Sequence, residues 1–436
     1  MKITIIGHGY VGLVTGCVLA DLGHKVSIIG RNKDKLEKLN NGDPIIYEPG
    51  LKPILKRNLA SNHIEFRLDY NSVKDSKVVF IAVGTPPNPD GSADLSAVIE
   101  VAEKIAEHLS DKHFTVVSCK STVPIGTNQM IEKIITKKAA SKKIKFATAS
   151  CPEFLKEGSA VKDTLTPDRI VIGSNSKEAI EILLQLHKKL PGKRVITDLQ
   201  SAELIKYASN SMLVTKISFA NLISFYAEKT GADVKTVLTA VGLDKRIGKQ
   251  FLGAGIGYGG SCFPKDIKAL IYMGKRLKID TSLIESTEKV NQQAKDNFLK
   301  KIIDNARGKN IAVWGLSFKP NTDDIRFSPS LYLIDKLLKR NFKITAYDPK
   351  AIANTQKIYK NKINYAADQY SCLQNKDGLV ITTDWKQFIT ADLKKVKKLL
   401  NYPDIFDGRN IYELEAMQKL GFNYYSTGRP TIKQNK

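Results

Sequence analysis

Lys2-Ile3-Thr4-Ile5-Ile6-Gly7-His8-Gly9-Tyr10-Val11-Gly12-Leu13-Val14 opens on a short β-branched apolar run, breaks at three glycines, and continues with helical spacing to Leu22. Gly23 ends that helix, and residues 25–29 read as a second strand. The result is a strand–helix–strand unit with Gly7-x-Gly9-x-x-Gly12 at its first turn. In that place the glycines permit a tight turn, close approach of backbone to a pyrophosphate, and close packing of helix on strand. The stretch therefore predicts a dinucleotide-binding unit. Its rival reading, a lipoprotein signal ending at Cys17, fails because Gly7, His8 and Gly9 interrupt the apolar run and no mature start follows.

Working outward, further strand-like runs at 77–83, 115–118, 145–149 and 170–172 alternate with helical stretches at 95–109 and 177–189, so the sheet should be largely parallel. This first domain is expected to span 1–198. From 199 to 230 there is no Gly or Pro, and Leu204, Ile205, Ala208, Met212, Leu213, Ile217 and Ala220 recur at helical spacing. A helix that long joins domains or builds a subunit interface. It should centre a helical, dimerising domain at 199–300, and its Glu203, Lys206, Asn210 and Lys216 argue against a membrane span. A second βαβ pattern follows in 301–436, with a strand at 311–316, a helix at 330–340 and a strand at 343–347. It lacks three spaced glycines and should hold something other than a dinucleotide. The expected fold class is α/β, with two Rossmann-like doubly wound parallel-sheet domains joined by a central helical domain containing one long helix.

Composition narrows the partners. The 436 residues suffice for two or three domains at roughly 150 each, and 42% apolar content supplies real cores. Lys and Arg number 68 against 44 Asp and Glu, a net +24 that attracts anions of any class. The excess is mostly diffuse lysine without interleaved aromatics, so no nucleic acid is expected as a partner, and the six lysines of 131–145 read as the solvated face of a helix. Cys17, Cys119, Cys151, Cys262 and Cys372 form no C-x-x-C pair, which fits a reducing, cytoplasmic setting without a metal site. No run reaches the roughly 18–20 apolar residues of a bilayer span, so no membrane partner is expected.

Two places depart from a plain dinucleotide domain. After the second strand, where an Asp or Glu normally bonds the adenosine ribose, the chain reads Gly30-Arg31-Asn32. The missing carboxylate and the added Arg31 make NADP the alternative to NAD, unless Arg31 stacks on adenine or points to solvent. The second place is Gly255-Ile256-Gly257-Tyr258-Gly259-Gly260-Ser261-Cys262-Phe263-Pro264-Lys265-Asp266, which is too glycine-rich to be a core element and reads as a flexible polar loop. There Lys265 would favour a Cys262 thiolate, and Asp266 would act as base or position water.

The glycine motif with Tyr10-Val11, Tyr47-Glu48-Pro49-Gly50, Val83-Gly84-Thr85-Pro86, Ser121-Thr122-Val123, Pro152-Glu153-Phe154-Leu155, the 259–266 stretch and 315–324 together resemble the UDP-glucose/GDP-mannose dehydrogenase family. The resemblance runs from residue 1 to Arg429 and is closer to the UDP-glucose 6-dehydrogenase branch than to the UDP-N-acetylmannosamine branch. It implies four-electron, NAD-dependent oxidation of UDP-glucose to UDP-glucuronate through a thiohemiacetal and thioester on Cys262. The alternative is a dehydrogenase of another UDP-hexose or UDP-N-acetylhexosamine. A nucleotide-sugar sensor on the same fold is disfavoured because Cys262, Lys206, Asn210 and Asp266 are all present.

By the same resemblance, Lys206 and Asn210, one helical turn apart, stabilise negative charge on the substrate oxygen, and Asp266 assists proton transfer through water. Glu153, Glu157 and Thr122 complete the catalytic set, with the division of labour between the two glutamates left open. Cofactor contacts carry over to Gly7, Gly9, Tyr10, Val11, Gly12, Arg31, Lys35, Thr85, Thr122, Glu157, Lys265 and Arg326. Substrate contacts carry over to Glu153, Phe154, Leu155, Lys156 and Glu157, to Lys206 and Asn210, to Phe251, Leu252, Gly253, Ala254, Gly255 and Gly259, and to Lys319. The departures are Gly30 for the usual Asp and Cys151 where Asn is frequent before Pro152. A homodimer through the central helix is the expected assembly.

Overall fold

A computed structural model describes residues 1–141 and 143–434. The chain falls into two compact units. Met1–Ser209 with Lys268–Leu277 form the first, and Asn210–Ile267 with the chain from Lys278 onward form the second.

The first unit is built on an eight-stranded sheet: β1 (Lys2–Ile6), β2 (Lys25–Ile29), β3 (Ile64–Arg67), β4 (Val78–Ile81), β5 (Phe114–Cys119), β6 (Lys145–Ser150), β7 (Arg169–Gly173) and β8 (Lys193–Thr197), in spatial order 3-2-1-4-5-6-7-8. All neighbours run parallel except β6 and β7, which meet antiparallel at Ser150 and Gly173. Both faces are covered, so the strands read as continuous apolar runs. Ile3, Ile5, Val78 and Phe80 pack into one core, while Ile6, Ile29, Val79 and Ile81 pack into the core on the opposite face. The lysine-rich stretch begins as the helix Thr127–Lys138, which buries Ile131 and Ile135 and exposes its lysines; Lys142 lies outside the described residues.

The second unit repeats the order. Strands β9 (Asn310–Trp314), β10 (Lys343–Tyr347), β11 (Asn364–Tyr365), β12 (Gly378–Ile381), β13 (Asp404–Asp407) and β14 (Asn423–Ser426) form an all-parallel sheet ordered 11-10-9-12-13-14. The turn after β9 differs from that after β1. The Asp348 carboxylate accepts from the Leu316 and Ser317 amides at 2.7 and 3.1 Å, so the chain itself occupies donors that a phosphate would otherwise meet.

The long helix is Leu199–Thr230, as its composition predicts. Its polarity is partly inverted. Glu203, Lys206, Asn210, Ser218, Asn221 and Ser224 are buried, whereas Leu204, Met212, Phe219, Leu222 and Tyr226 are exposed. Among the described residues no helix is long and apolar enough to cross a membrane. The 255–266 segment departs from the expected flexible loop. Gly255–Gly260 is buried, and a helix, Phe263–Arg276, begins directly after Cys262. The glycines are there because neighbouring backbone leaves no room: a Cβ on Gly259 would lie 2.2 Å from the Phe327 carbonyl oxygen.

Within the first unit, Glu203 fixes the start of the long helix. Its buried carboxylate accepts from the Gly126 amide (2.6 Å), the Asn128 amide (2.9 Å) and Asn128 Nδ2 (2.7 Å). Glu203→Ala leaves those donors without a partner and should lower stability by about 2–3 kcal/mol, with Glu203→Gln losing about half as much, read from urea unfolding midpoints at constant slope.

Candidate active site

In the first unit the crevice lies where the strand order reverses, beyond the carboxyl ends of β1 and β4. Gly7 has φ +119°, and a Cβ there would sit 2.3 Å from the Ala82 carbonyl oxygen; a Cβ on Gly12 would lie 1.9 Å from the Gly7 carbonyl oxygen, while a Cβ on Gly9 would meet nothing within 4 Å. Turn, packing and open approach are thus separately assigned. The following helix, Tyr10–Asp21, carries no capping side chain and no acid in its first turn, so its amides and dipole face the crevice. These features fit a dinucleotide pyrophosphate. A cavity of about 230 Å³ opens here, lined among others by Gly7, His8, Gly9, Gly30, Arg31, Tyr70 and Glu100.

Tyr10 faces away from a simple ligand role. Its hydroxyl donates to Glu48, and the Gly158 amide donates both to Glu48 Oε2 (2.6 Å) and to the Tyr10 oxygen (3.0 Å). Burial pushes the Glu48 carboxyl above its ordinary range, opposed by these bonds. The cluster ties the glycine motif to the segment carrying Glu153 and Glu157. Thr85 and Thr122 are also brought together, Thr85 Oγ1 donating to the Thr122 carbonyl at 2.9 Å.

Glu153 and Lys206 form a buried ion pair at 3.0 Å, and the second Glu153 oxygen accepts from the Leu155 amide at 2.7 Å. Lys206 also lies 5.3 Å above the Phe154 ring, which Arg169 covers at 3.9 Å. A buried pair survives only if both charges are met, and removing one partner strands the other.

In the second unit, Asn210 Nδ2 donates to Asp266 Oδ2 at 2.6 Å, and Lys265 Nζ donates to Asp266 Oδ1 at 2.5 Å. Asp266 is fully buried and sits in the first turn of the Phe263–Arg276 helix, its amide bonded to the Cys262 carbonyl at 3.0 Å. Cys262 therefore stands at a helix N-terminus, where the dipole favours negative charge on sulfur. Its Sγ is 3.6 Å from Ser261 Oγ. Asn221 Oδ1 receives the Gly255 amide and Asn291 Oδ1 the Tyr258 amide, both at 2.8 Å, which orders the glycine segment. Phe251 holds φ +63°, an uncommon left-handed conformation for a bulky residue. Arg326 makes a two-point pair with Asp324, Nη2 to Oδ2 at 2.7 Å and Nε to Oδ1 at 2.8 Å, and Lys319 lies 5.3 Å from the Phe318 ring.

Sequence reasoning passed over His8, Glu48, Glu100 and Arg409. Arg409 donates to the Thr382 carbonyl at 2.8 Å and the Phe318 carbonyl at 3.0 Å, bracing the turn that carries Lys319. Only the Tyr47-Glu48-Pro49-Gly50 motif offered a signal for any of the four.

Family models for the UDP-glucose/GDP-mannose dehydrogenases match in chain order: the NAD binding domain at residues 1–191, the central domain at 200–293 and the UDP binding domain at 312–414. The chain belongs to the UDP-glucose/GDP-mannose dehydrogenase family. Among its relatives, the UDP-glucose 6-dehydrogenase TuaD of Bacillus subtilis is 42% identical, over 99% of this chain and 94% of the relative. The UDP-glucose 6-dehydrogenase of Rhizobium meliloti is 43% identical over 99% of this chain and all of its own length. Among solved structures, a UDP-glucose dehydrogenase from Pyrobaculum islandicum superposes with a TM-score of 0.90 at 36% identity, covering 98% of this chain and 97% of that one. A UDP-D-ManNAc dehydrogenase from Pyrococcus horikoshii follows with 0.86 at 26% identity, covering 98% and 99%.

The cysteines of this family member are sharply divided. Cys17, Cys119, Cys151 and Cys372 are buried, and burial pushes the thiols of Cys17, Cys119 and Cys372 up to about 12; Cys262 alone is partly exposed. Iodoacetamide should therefore label the native protein at Cys262 and leave the other four untouched until it is unfolded, as peptide mass mapping will show.

Proposed function

We infer that the protein is an NAD-dependent UDP-glucose 6-dehydrogenase, which oxidises UDP-glucose to UDP-glucuronate. The observation that carries this for the chemistry is the helix start at Cys262, with buried Asp266 held between Asn210 and Lys265. Overall, one CH₂OH, one water and two NAD⁺ give one carboxylate, two NADH and three protons. Bound at the glycine turn, NAD supplies the hydride acceptor for each of the two oxidations.

The residue roles are those that the family resemblance implies, and the charges of the residues present suit them. In the first oxidation the C6 hydroxyl loses a proton to water held by Asp266, while Lys206 and Asn210, sharing one face of the long helix, offset the developing alkoxide. The Cys262 thiolate adds to the aldehyde carbon, forming a C–S bond and a second oxyanion for the same two donors. Loss of the second hydride leaves a thioester. Water, deprotonated with help from Glu153, attacks the thioester carbon; the C–S bond breaks, and the carboxylate leaves with the thiolate restored. Glu157 and Thr122 line the cofactor side. Lys319 and the 251–259 segment hold the UDP-sugar.

The central test is stoichiometric. Limiting UDP-glucose should yield two NADH per sugar nucleotide. Cys262→Ala should lower acid formation by about 10³-fold or more, and Asn210→Ala by about 10²–10³-fold as an oxyanion donor is lost. Faster turnover of UDP-N-acetylmannosamine than of UDP-glucose would instead assign the protein to the other branch.

The assembly we propose is a homodimer, in the cytoplasm. Its support is the partly inverted long helix, whose outward side presents Leu204, Met212, Phe219, Leu222 and Tyr226. The full chain should sediment as a dimer, and a Met212→Glu, Tyr226→Glu double variant as a folded monomer. A monomeric parent would sink the assignment.

A further inference from the structure

The adenosine end of the cofactor pocket is built without the acid that a dinucleotide fold places at the tip of its second strand. Gly30 occupies that position, and its side-chain space is filled: a Cβ there would lie 2.3 Å from His8 Nδ1 and 2.9 Å from Leu36 Cδ2. The acid is thus excluded sterically while His8 keeps its place. Burial, then Lys35 and Arg31, hold the His8 imidazole below its ordinary pKa, so it lines the pocket as a neutral ring able to bond a ribose hydroxyl.

Beside it Arg31 reaches toward the helix Ser96–His108, where Nη1 meets Glu100 Oε2 at 3.1 Å. The two side chains are 73% and 52% exposed, so the pair is solvated and readily exchanged for another anion. Both residues line the same cavity as Gly7 and Gly9. An arginine that follows the second strand, has no acid beside it in the chain and is countered by a solvated carboxylate is chemically matched to a phosphate.

We propose that this pocket accepts NADP as well as NAD, with Arg31 as the ligand of the 2′-phosphate and Glu100 as the internal anion that the phosphate displaces. The inference rests on the NAD site and adds a specificity device to it. Glu100 repels the 2′-phosphate and competes for Arg31, so it biases the site toward NAD without closing it to NADP.

The test is calorimetric titration of the full chain with NAD, NADP and 2′,5′-ADP, without substrate. In the parent, NADP should bind within about thirtyfold of NAD. Glu100→Gln should lower the ratio Kd(NADP)/Kd(NAD) by about threefold and Arg31→Ala should raise it by about fivefold, the scale of one charge contact at a half-exposed site. The affinity for 2′,5′-ADP should move with NADP. Both positions are surface-exposed, and equal melting temperatures will show that the variants fold. A parent ratio above thirtyfold, or a ratio moved by neither variant, overturns the proposal while leaving NAD binding intact. Failure to bind NAD at all overturns the cofactor reading beneath it as well.

Discussion

Glu203, Lys206 and Asn210 bury three strongly polar side chains within eight residues of one helix, and each requires a partner at hydrogen-bond distance. The partners are other candidate site residues or the turn beside one. Glu203 holds the Gly126–Asn128 turn, just beyond Thr122; Lys206 holds Glu153; Asn210 holds Asp266. The same helix buries Tyr207, Val214, Ala220 and Ala227 and leaves an apolar stripe from Leu204 to Tyr226 exposed.

Much of this frame is readable from the chain alone, because it rests on backbone rules. Three glycines between a strand and a helix have few alternatives, and a stretch of 32 residues without Gly or Pro has fewer. What escapes is whatever depends on distant partners. Strand β13 reads Asp-Ile-Phe-Asp, which looks like a turn until Asp404 is seen buried against Arg307 at 2.6 and 2.8 Å. Strands β11 and β12 are only two and four residues long, too short to show a period. The 255–266 segment looks mobile by composition because glycine content reports freedom in the unfolded chain. Here the glycines answer crowding by Phe327, Gly408 and Asn291. Among the candidate site residues, Cys262, Lys206 and Asn210 stand out in sequence, whereas Glu48, Glu100 and Arg409 act through contacts 110, 69 and up to 152 positions away.

The two sheets share one strand order and differ in how the first turn is finished. Order alone therefore does not fix the ligand. The turn after β1 offers uncapped amides and an open Gly9. The turn after β9 has its amides claimed by Asp348, and its nearby cation is the side chain of Lys319. Recognition at the second sheet is left to side chains.

That contrast sets how each half responds to its surroundings in the cell. A turn that already carries its own counter-anion has its donors satisfied with or without a metabolite. A turn with open donors gains free energy from every anion that settles there, in proportion to the logarithm of its concentration. At the first turn, then, a bound dinucleotide adds to the stability of the fold, while the turn after β9 has its donors already met by Asp348.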